Sequence, residues 1–442
     1  MSQPNILFFF PDQHRGDWLA SNPALPLRTP NLDGLSARGV TFSRAYCTSP
    51  LCAPSRASLA AGKSYDRCRV PDNGIDYPLD QPTYYQALRE AGYRVAGVGK
   101  FDLHKNTSDP TRLNWNLDGS RSLEEWGFTE GIDNEGKFDG STSYRVNGAP
   151  RGPYLSFLEA RGLADTYVQE HASVRERRGA YVTALPDDAY CDNWLSENGL
   201  RFLRGFPQGK PWHMVVNFTG PHAPMDVTQS MHDAWAGVDF PPPHRNEQAH
   251  YSGEDHQRNR RHYAAMIENI DRQVGRFLDV VRDRGELANT LVVYCSDHGE
   301  MLGDHGKWGK CTYREPSVRV PLIVAGPEVR RGLVSDALVA IHDLAATFTD
   351  SAGATPMPEM DAVSLWPVLR GESEEHRAVV VSGLRGWRAA VDRSHKLVTG
   401  LTEGAVLHDL CADPNEDTNV AEIHPDVVAR LSNAIEVAKE HV

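Results

Sequence analysis

The chain has 442 residues, 40% hydrophobic and 24% charged, values that exclude collagen-like, coiled-coil and bulk disordered proteins. Its 59 acidic residues outnumber 46 basic ones for a net charge of −13, which argues against a nucleic-acid binder but allows an anionic substrate in a locally cationic pocket. Seven scattered cysteines make no disulfide framework, and no apolar run nears the roughly 18 residues of a membrane helix.

Residues 5–10 open the chain as a buried strand that runs into Asp12-Gln13-His14. Its apolar stretch, 6–10, is too short for a signal sequence and lacks a basic lead, so the expected location is the cytoplasm. Next comes Cys52-Ala53-Pro54-Ser55-Arg56, a cysteine just ahead of a short helix with Pro54 in its first turn. Residues 94–98 predict a second strand, followed by Lys100-Phe101-Asp102. The stretch 103–190 is rich in Pro, Gly, Asn and Asp and reads as insertion and loop over a site. Residues 214–218 give a strand ahead of Thr219-Gly220-Pro221-His222. Residues 255–284 give a helix, because Tyr263, Met266, Ile267, Ile270, Val274, Phe277, Leu278 and Val281 recur at spacings of three and four. Residues 291–295 give a strand ahead of Ser296-Asp297-His298-Gly299. From 346 the segments shorten: 378–382, 389–391 and 396–399 read as strands, and 425–438 as a closing helix.

The strands are β-branched or aromatic without strict alternation, which suits burial on both faces of a parallel sheet. Strands alternating with helices predict an α/β fold, a large mostly parallel sheet flanked by helices. Residues 1–345 would form the catalytic domain and 346–442 a smaller C-terminal α+β subdomain packed on it. Such sheets bind ligands beyond the carboxyl ends of their strands, so four polar clusters at four strand ends point to one site.

At that site the helix N-terminus and Arg56 favour a thiolate or an oxyanion at Cys52. Asp12, Gln13, Asp297 and His298 offer three oxygen donors and one imidazole, a set for a hard divalent ion: Ca²⁺, or Mn²⁺ given His298.

Cys-x-Pro-Ser-Arg followed by a helix and Gly62 resembles the signature of the formylglycine-dependent sulfatases, in the alkaline phosphatase superfamily. The context resembles that family too: Thr-Pro-Asn-Leu-Asp at 29–33, Gly-x-x-Phe at 39–42 and Ser-Asp-His-Gly at 296–299. The resemblance runs from about residue 4 to 326 and resumes faintly at 407–419. It implies hydrolysis of a small-molecule sulfate ester by a formylglycine made from Cys52, with a separate formylglycine-generating enzyme as maturation partner. It implies one divalent ion held by Asp12, Gln13, Asp297, His298 and the modified Cys52. Arg56 would hold the modified residue, and Lys100 and Lys310 would contact the sulfate oxygens. His222, in Pro-His-x-Pro, would donate a proton to the leaving oxygen or contact the ester.

Two positions depart from the pattern. Gln13 stands where many sulfatases carry a second Asp. Asp102 stands where the family often has Lys-x-His, so that either His104, from a shifted position, or Asp102 would do that work. These departures sustain an alternative, a phosphonate monoester or phosphodiester hydrolase with the same apparatus. A non-catalytic metal-binding protein and a cysteine hydrolase using Cys52 as thiolate complete the alternatives. His14, Asp17 and Lys307 read as surface residues, and self-association is left open.

Overall fold

The computed structural model describes residues 3–105, 107–245 and 251–440. Up to residue 340 the chain lays down β1 (Asn5–Phe9), β2 (Gly39–Tyr46), β3 (Arg94–Gly99), β4 (Glu130–Asp133), β5 (Ala180–Val182), β6 (Trp212–Asn217), β7 (Met225–Val227), β8 (Thr290–Cys295), β9 (Arg319–Ala325), β10 (Leu333–Ser335) and β11 (Val339–Ala340). β5 and β7 pair as a separate ribbon, and the others form one sheet in the order β10-β2-β9-β8-β1-β6-β3-β4, with β11 also on β2. Every pairing in this sheet is parallel except those of β9 with β2 and β8.

The central strands are apolar without alternation because both faces are covered. Ile6 and Phe8 enter one core with Val215, Val293 and Phe348. Leu7 and Phe9 enter the other with Met214, Val216, Val292 and Phe277. Phe277 belongs to the helix Gly253–Asp283, whose predicted apolar stripe is buried throughout. Ser252 and Asp255 close its start as a capping box, each side chain accepting the other's backbone N–H.

Several strands escape the sequence reading, β9 and β2 of the large sheet among them. β9 carries Pro321, which normally speaks against an interior strand. Here it lies opposite a bulge in β2 between Phe42 and Ala45 and beyond the end of β8's pairing, so its missing N–H breaks no ladder bond. The same bulge obscures β2, half of which is legible only as Gly-x-x-Phe.

The stretch 103–190 is more helical than the expected loop. It holds the helices Lys137–Asn147, Pro153–Ala160 and Ala164–Ala172. They close a small core of their own around Tyr154, Leu155, Leu158 and Tyr167. Each is too short for periodicity to stand out between the Gly and Pro that separate them.

Beyond the large sheet, β12 (Val380–Leu384), β13 (Trp387–Val391), β14 (His395–Thr399) and β15 (Val406–Asp409) form an antiparallel sheet covered by the helix Pro425–Glu440. The helix Asp343–Ala352 spans the expected 345/346 boundary, and its Phe348 packs on Phe8 and Tyr84 in the main core. Among the described residues no helix is long and apolar enough to cross a membrane. All seven cysteines are free.

Candidate active site

Four strand ends and one helix start meet at Cys52. The helix Cys52–Ala61 is buried along its whole length and begins at the cysteine itself. Asn73 accepts the Ala53 N–H at 3.0 Å, satisfying one of the first-turn donors. Gly62 ends the helix with φ +62°, and a Cβ there would stand 2.6 Å from Met360, so the turn needs glycine.

Asp12 follows β1, Asp297 and His298 follow β8, and their ligating atoms and Cys52 Sγ all lie within 4.8 Å of one another in a fully buried cluster. Cys52 Sγ is 3.3 Å from His298 Nε2 and 3.7 Å from Asp12 Oδ1. His298 Nδ1 donates to the Gly299 carbonyl at 3.1 Å, which leaves Nε2 as a lone pair facing the cluster.

Gln13 belongs to the same group. Its N–H donates to Asp297 Oδ1 at 2.9 Å, and its Nε2 donates to the buried Glu300 carboxylate. Its Oε1 is buried without a partner. Two carboxylates, a correctly protonated imidazole and an orphaned amide oxygen are the donor chemistry of a hard divalent cation site, so the residues present fit such an ion.

The predicted cations surround this cluster. Arg56 Nε donates to Asp297 Oδ2 at 2.9 Å, and its Nη1 donates to the Lys100 carbonyl at 2.6 Å and to Asn217 Oδ1 at 3.1 Å. Lys100, at the end of β3, donates to Asp12 and lies 3.1 Å from Asp102. Lys310 Nζ donates to Cys52 Sγ at 2.9 Å. Gly99, just before Lys100, has φ +109°, and a Cβ would overlap the Asn217 carbonyl at 1.9 Å, so β3 can approach β6 here only as glycine.

His222 is brought in by the backbone: Asp12 N–H donates to the Gly220 carbonyl at 3.1 Å, laying the 219–222 turn beside β1's end. His222 Nδ1 donates to the Ala223 carbonyl, and its side chain interacts with Cys52. Burial first, and then Lys310, hold its pKa below the usual value, so the free protein keeps this imidazole neutral.

Charge separates Cys52 from its neighbours. Burial and Asp12 push its thiol up, but Lys100, Lys310 and Lys105 together outweigh them and hold it well below the usual value. Cys47, five residues earlier, is pushed up by burial. A cavity of about 180 Å³ opens over Cys52, with Lys100, Lys105, His222 and Lys310 among its lining.

The remaining expectations divide. His104 packs edge-on against Trp126 and meets Ser122 at 3.1 Å, away from the cavity lining. Asp102 is buried outside the cavity lining, ion-paired with two of the lining residues, Lys100 and Lys105. His14 is buried rather than exposed: Nε2 donates to the Trp18 carbonyl, Nδ1 accepts from the Tyr294 hydroxyl, and burial takes its pKa to about 4. Asp17 is half-buried and paired with Arg15 at 2.6 Å, and Lys307 is exposed as expected.

With this geometry in place, comparison with known proteins settles the family. The Sulfatase profile matches residues 4–354. The chain belongs to the sulfatase family. The N-sulphoglucosamine sulphohydrolase C-terminal profile matches residues 303–441 of this sulfatase. A choline-sulfatase of Rhizobium meliloti (strain 1021) is 30% identical over 95% of this chain and 83% of its own length. An arylsulfatase of Clostridium perfringens is 27% identical over 95% and 90%. The crystal structure of a phosphonate monoester hydrolase of Agrobacterium radiobacter superposes with a TM-score of 0.79 at 24% identity, over 99% of this chain and 96% of that one, and supports the fold.

Three residues of the sulfatase site escape the sequence reading. Lys105 stands three positions past Asp102, outside any motif. Glu300 directly follows Ser296–Gly299 and could have been noticed as the next acidic residue. Asn217, the last residue of β6, sits just ahead of the 219–222 cluster.

Proposed function

We propose that this sulfatase hydrolyses a small sulfate ester through a formylglycine formed from Cys52, with one divalent ion held by Asp12, Gln13, Asp297, His298 and position 52. The observation that carries the reading is the convergence at Cys52 of three cationic side chains with two carboxylates and an imidazole. Hydrated formylglycine supplies a nucleophilic hydroxyl and a second hydroxyl on the same carbon for releasing sulfate, which a thiol lacks. A divalent ion in this cage supplies Lewis acidity beside position 52.

The protein's own groups do the rest. Arg56, fixed at Asp297, the Lys100 carbonyl and Asn217, holds the ligand Asp297 in place. Lys310, in donating distance of position 52, and Lys100 stabilise charge spread over the sulfuryl oxygens. His222 interacts with position 52 and protonates the leaving oxygen from its Nε2, since Nδ1 is committed to Ala223. Because the free protein keeps His222 neutral, that proton arrives with the bound anion, whose charge favours the imidazolium.

Peptide mass tests the chemistry. In the tryptic peptide 45–56 from the native host, Cys52 should lose H₂S and gain one oxygen while Cys47 stays a thiol. A full-length protein with Cys52 wholly unmodified and sulfate ester turnover intact would overturn the formylglycine reading.

Gln13 favours a second reading, a phosphonate monoester hydrolase, because the amide removes one negative charge from the ion's cage. Paired assays with an aryl sulfate and an aryl phosphonate monoester decide between them. A higher kcat/KM for the phosphonate would reverse the order.

A further inference from the structure

Two cavity-lining lysines are employed by neither the sequence reading nor the mechanism above; Lys137 spends its ammonium on Asp226 and on the His222 and Pro224 carbonyls, which leaves Lys105. It is buried, and its Nζ lies 2.7 Å from Asp102 Oδ2 and 3.0 Å from Asp139 Oδ2. An ammonium has three N–H bonds. Among the described residues Asp102 is its hydrogen-bond acceptor and Asp139 its second ion-pair partner, so at least one N–H remains for the cavity that it lines together with Cys52.

The arrangement is specific. Asp102 sits at the third strand end, where the resemblance leads one to expect a histidine, and its Oδ2 holds two ammonium groups at once, Lys100 at 3.1 Å and Lys105 at 2.7 Å. A carboxylate so placed stays ionised and carries no proton to the reaction; burial opposes this, but Lys100 and Lys105 keep its pKa low. Asp139 reaches Lys105 from the helix Lys137–Asn147, in the insertion, so the second tether comes from a different part of the chain. Burying a lysine is costly unless it is paired, and a lysine needed only to neutralise Asp102 would duplicate Lys100.

We propose that Lys105 is a further substrate-binding cation: its free N–H binds a non-bridging oxygen of the ester's sulfate group, and Asp102 and Asp139 are its positioning residues. This rests on the proposed hydrolysis at position 52. The insertion thereby reaches the reacting group itself as well as walling the cavity through Phe138.

The test uses the full-length protein with conversion of Cys52 verified by mass. Lys105→Met should lower kcat/KM about 100-fold, the loss typical of one removed oxyanion donor. It should weaken binding of inorganic sulfate, measured calorimetrically, on the order of tenfold. Lys105→Arg, which keeps the charge, should recover most of both. Lys105→Met combined with Asp139→Asn separates contact from structure, because it removes the carboxylate that the first change strands. If Lys105 only balances charge, the double variant returns to within about threefold of Asp139→Asn alone, and the proposal fails. If the contact is real, the double variant stays as deficient as Lys105→Met. Sulfate binding is read without turnover, so a wild-type protein inactive on sulfate esters would sink the hydrolysis reading while leaving the role of Lys105 to be decided by calorimetry.

Discussion

Glu300 sets the direction of Gln13. Its Oε2 accepts the Gln13 Nε2, which leaves Oε1 of the amide buried without a partner, and its Oε1 accepts the N–H groups of Leu302 at 3.0 Å and Gly309 at 2.5 Å. One carboxylate therefore orients a candidate ligand and anchors the segment that carries Lys310. Glu300→Gln puts an NH₂ group into this arrangement. Either it faces Gln13, whose amide then flips and withdraws Oε1, or it faces Gly309 and breaks that bond. Affinity for Ca²⁺ or Mn²⁺ should fall about 10- to 100-fold, the usual cost of disturbing a residue behind the ligands. Metal titration checks this, and unchanged affinity would show that Glu300 does not position a ligand. The residues legible in the sequence, Asp12, Cys52, Arg56, Asp297 and His298, belong to contiguous motifs at strand or helix ends. Lys105 and Asn217 carry no such mark, and Glu300 shows only its place after Ser296–Gly299; each is defined by a partner distant in the chain, Asp139 for Lys105, Arg56 for Asn217 and Gln13 for Glu300.

At the scale of elements, the turn between β4 and the helix Lys137–Asn147 stores a titration. Glu135 is buried there, its Oε1 accepts the Leu155 N–H at 2.8 Å in the first turn of Pro153–Ala160, and its Oε2 has no partner. Burial pushes its pKa up to about 7 from the ordinary 4.5 of a glutamate. The folded state thus holds a proton that the unfolded chain releases, so this group costs nothing below about pH 4.5 and costs progressively more up to about pH 7. Glu135→Gln keeps the acceptor for Leu155 and removes the titration. Thermal melts should show the variant matching wild type near pH 4.5 and exceeding it at pH 8, by on the order of 3 kcal/mol. Asp133, also raised to about 7 by burial, leaves a similar slope in both proteins. Parallel melting curves across that range would refute the assignment. These helices illustrate what patterning reads and what it misses. The helix Gly253–Asp283 and the central strands bury long uniform faces and were plain in the sequence. The insertion's short helices depend on one another for a core, and β9 depends on a bulge in another strand to accommodate Pro321.

For the molecule as a whole, a buried lysine joins the contacts that tie the antiparallel C-terminal sheet to the catalytic part, beside the bond from the Gly383 N–H to the Thr48 carbonyl and the Arg388–Asp66 ion pair. Lys396, on β14, is fully buried and donates to the Tyr313 carbonyl at 3.0 Å and to Glu416 Oε1 at 2.8 Å, with Glu315 Oε1 at 2.6 Å. Tyr313 and Glu315 lie between Lys310 and β9, and Glu416 lies in the loop after β15. The C-terminal sheet therefore fixes the backbone only three residues from the cation beside Cys52. Lys396→Met leaves Glu416 without its counter-charge and Glu315 with only Arg319 at 3.6 Å, and should cost about 3–5 kcal/mol, read by denaturant unfolding. Lys396→Met with Glu315→Gln and Glu416→Gln removes the stranded charges as well and should recover much of that stability. It should not recover kcat, because the Tyr313 carbonyl has lost its donor and the Lys310 segment its anchor. A triple variant with both stability and kcat restored would show that the C-terminal sheet stabilises the fold without positioning the site. Stability regained with kcat still depressed would show that the two sheets share the catalytic geometry.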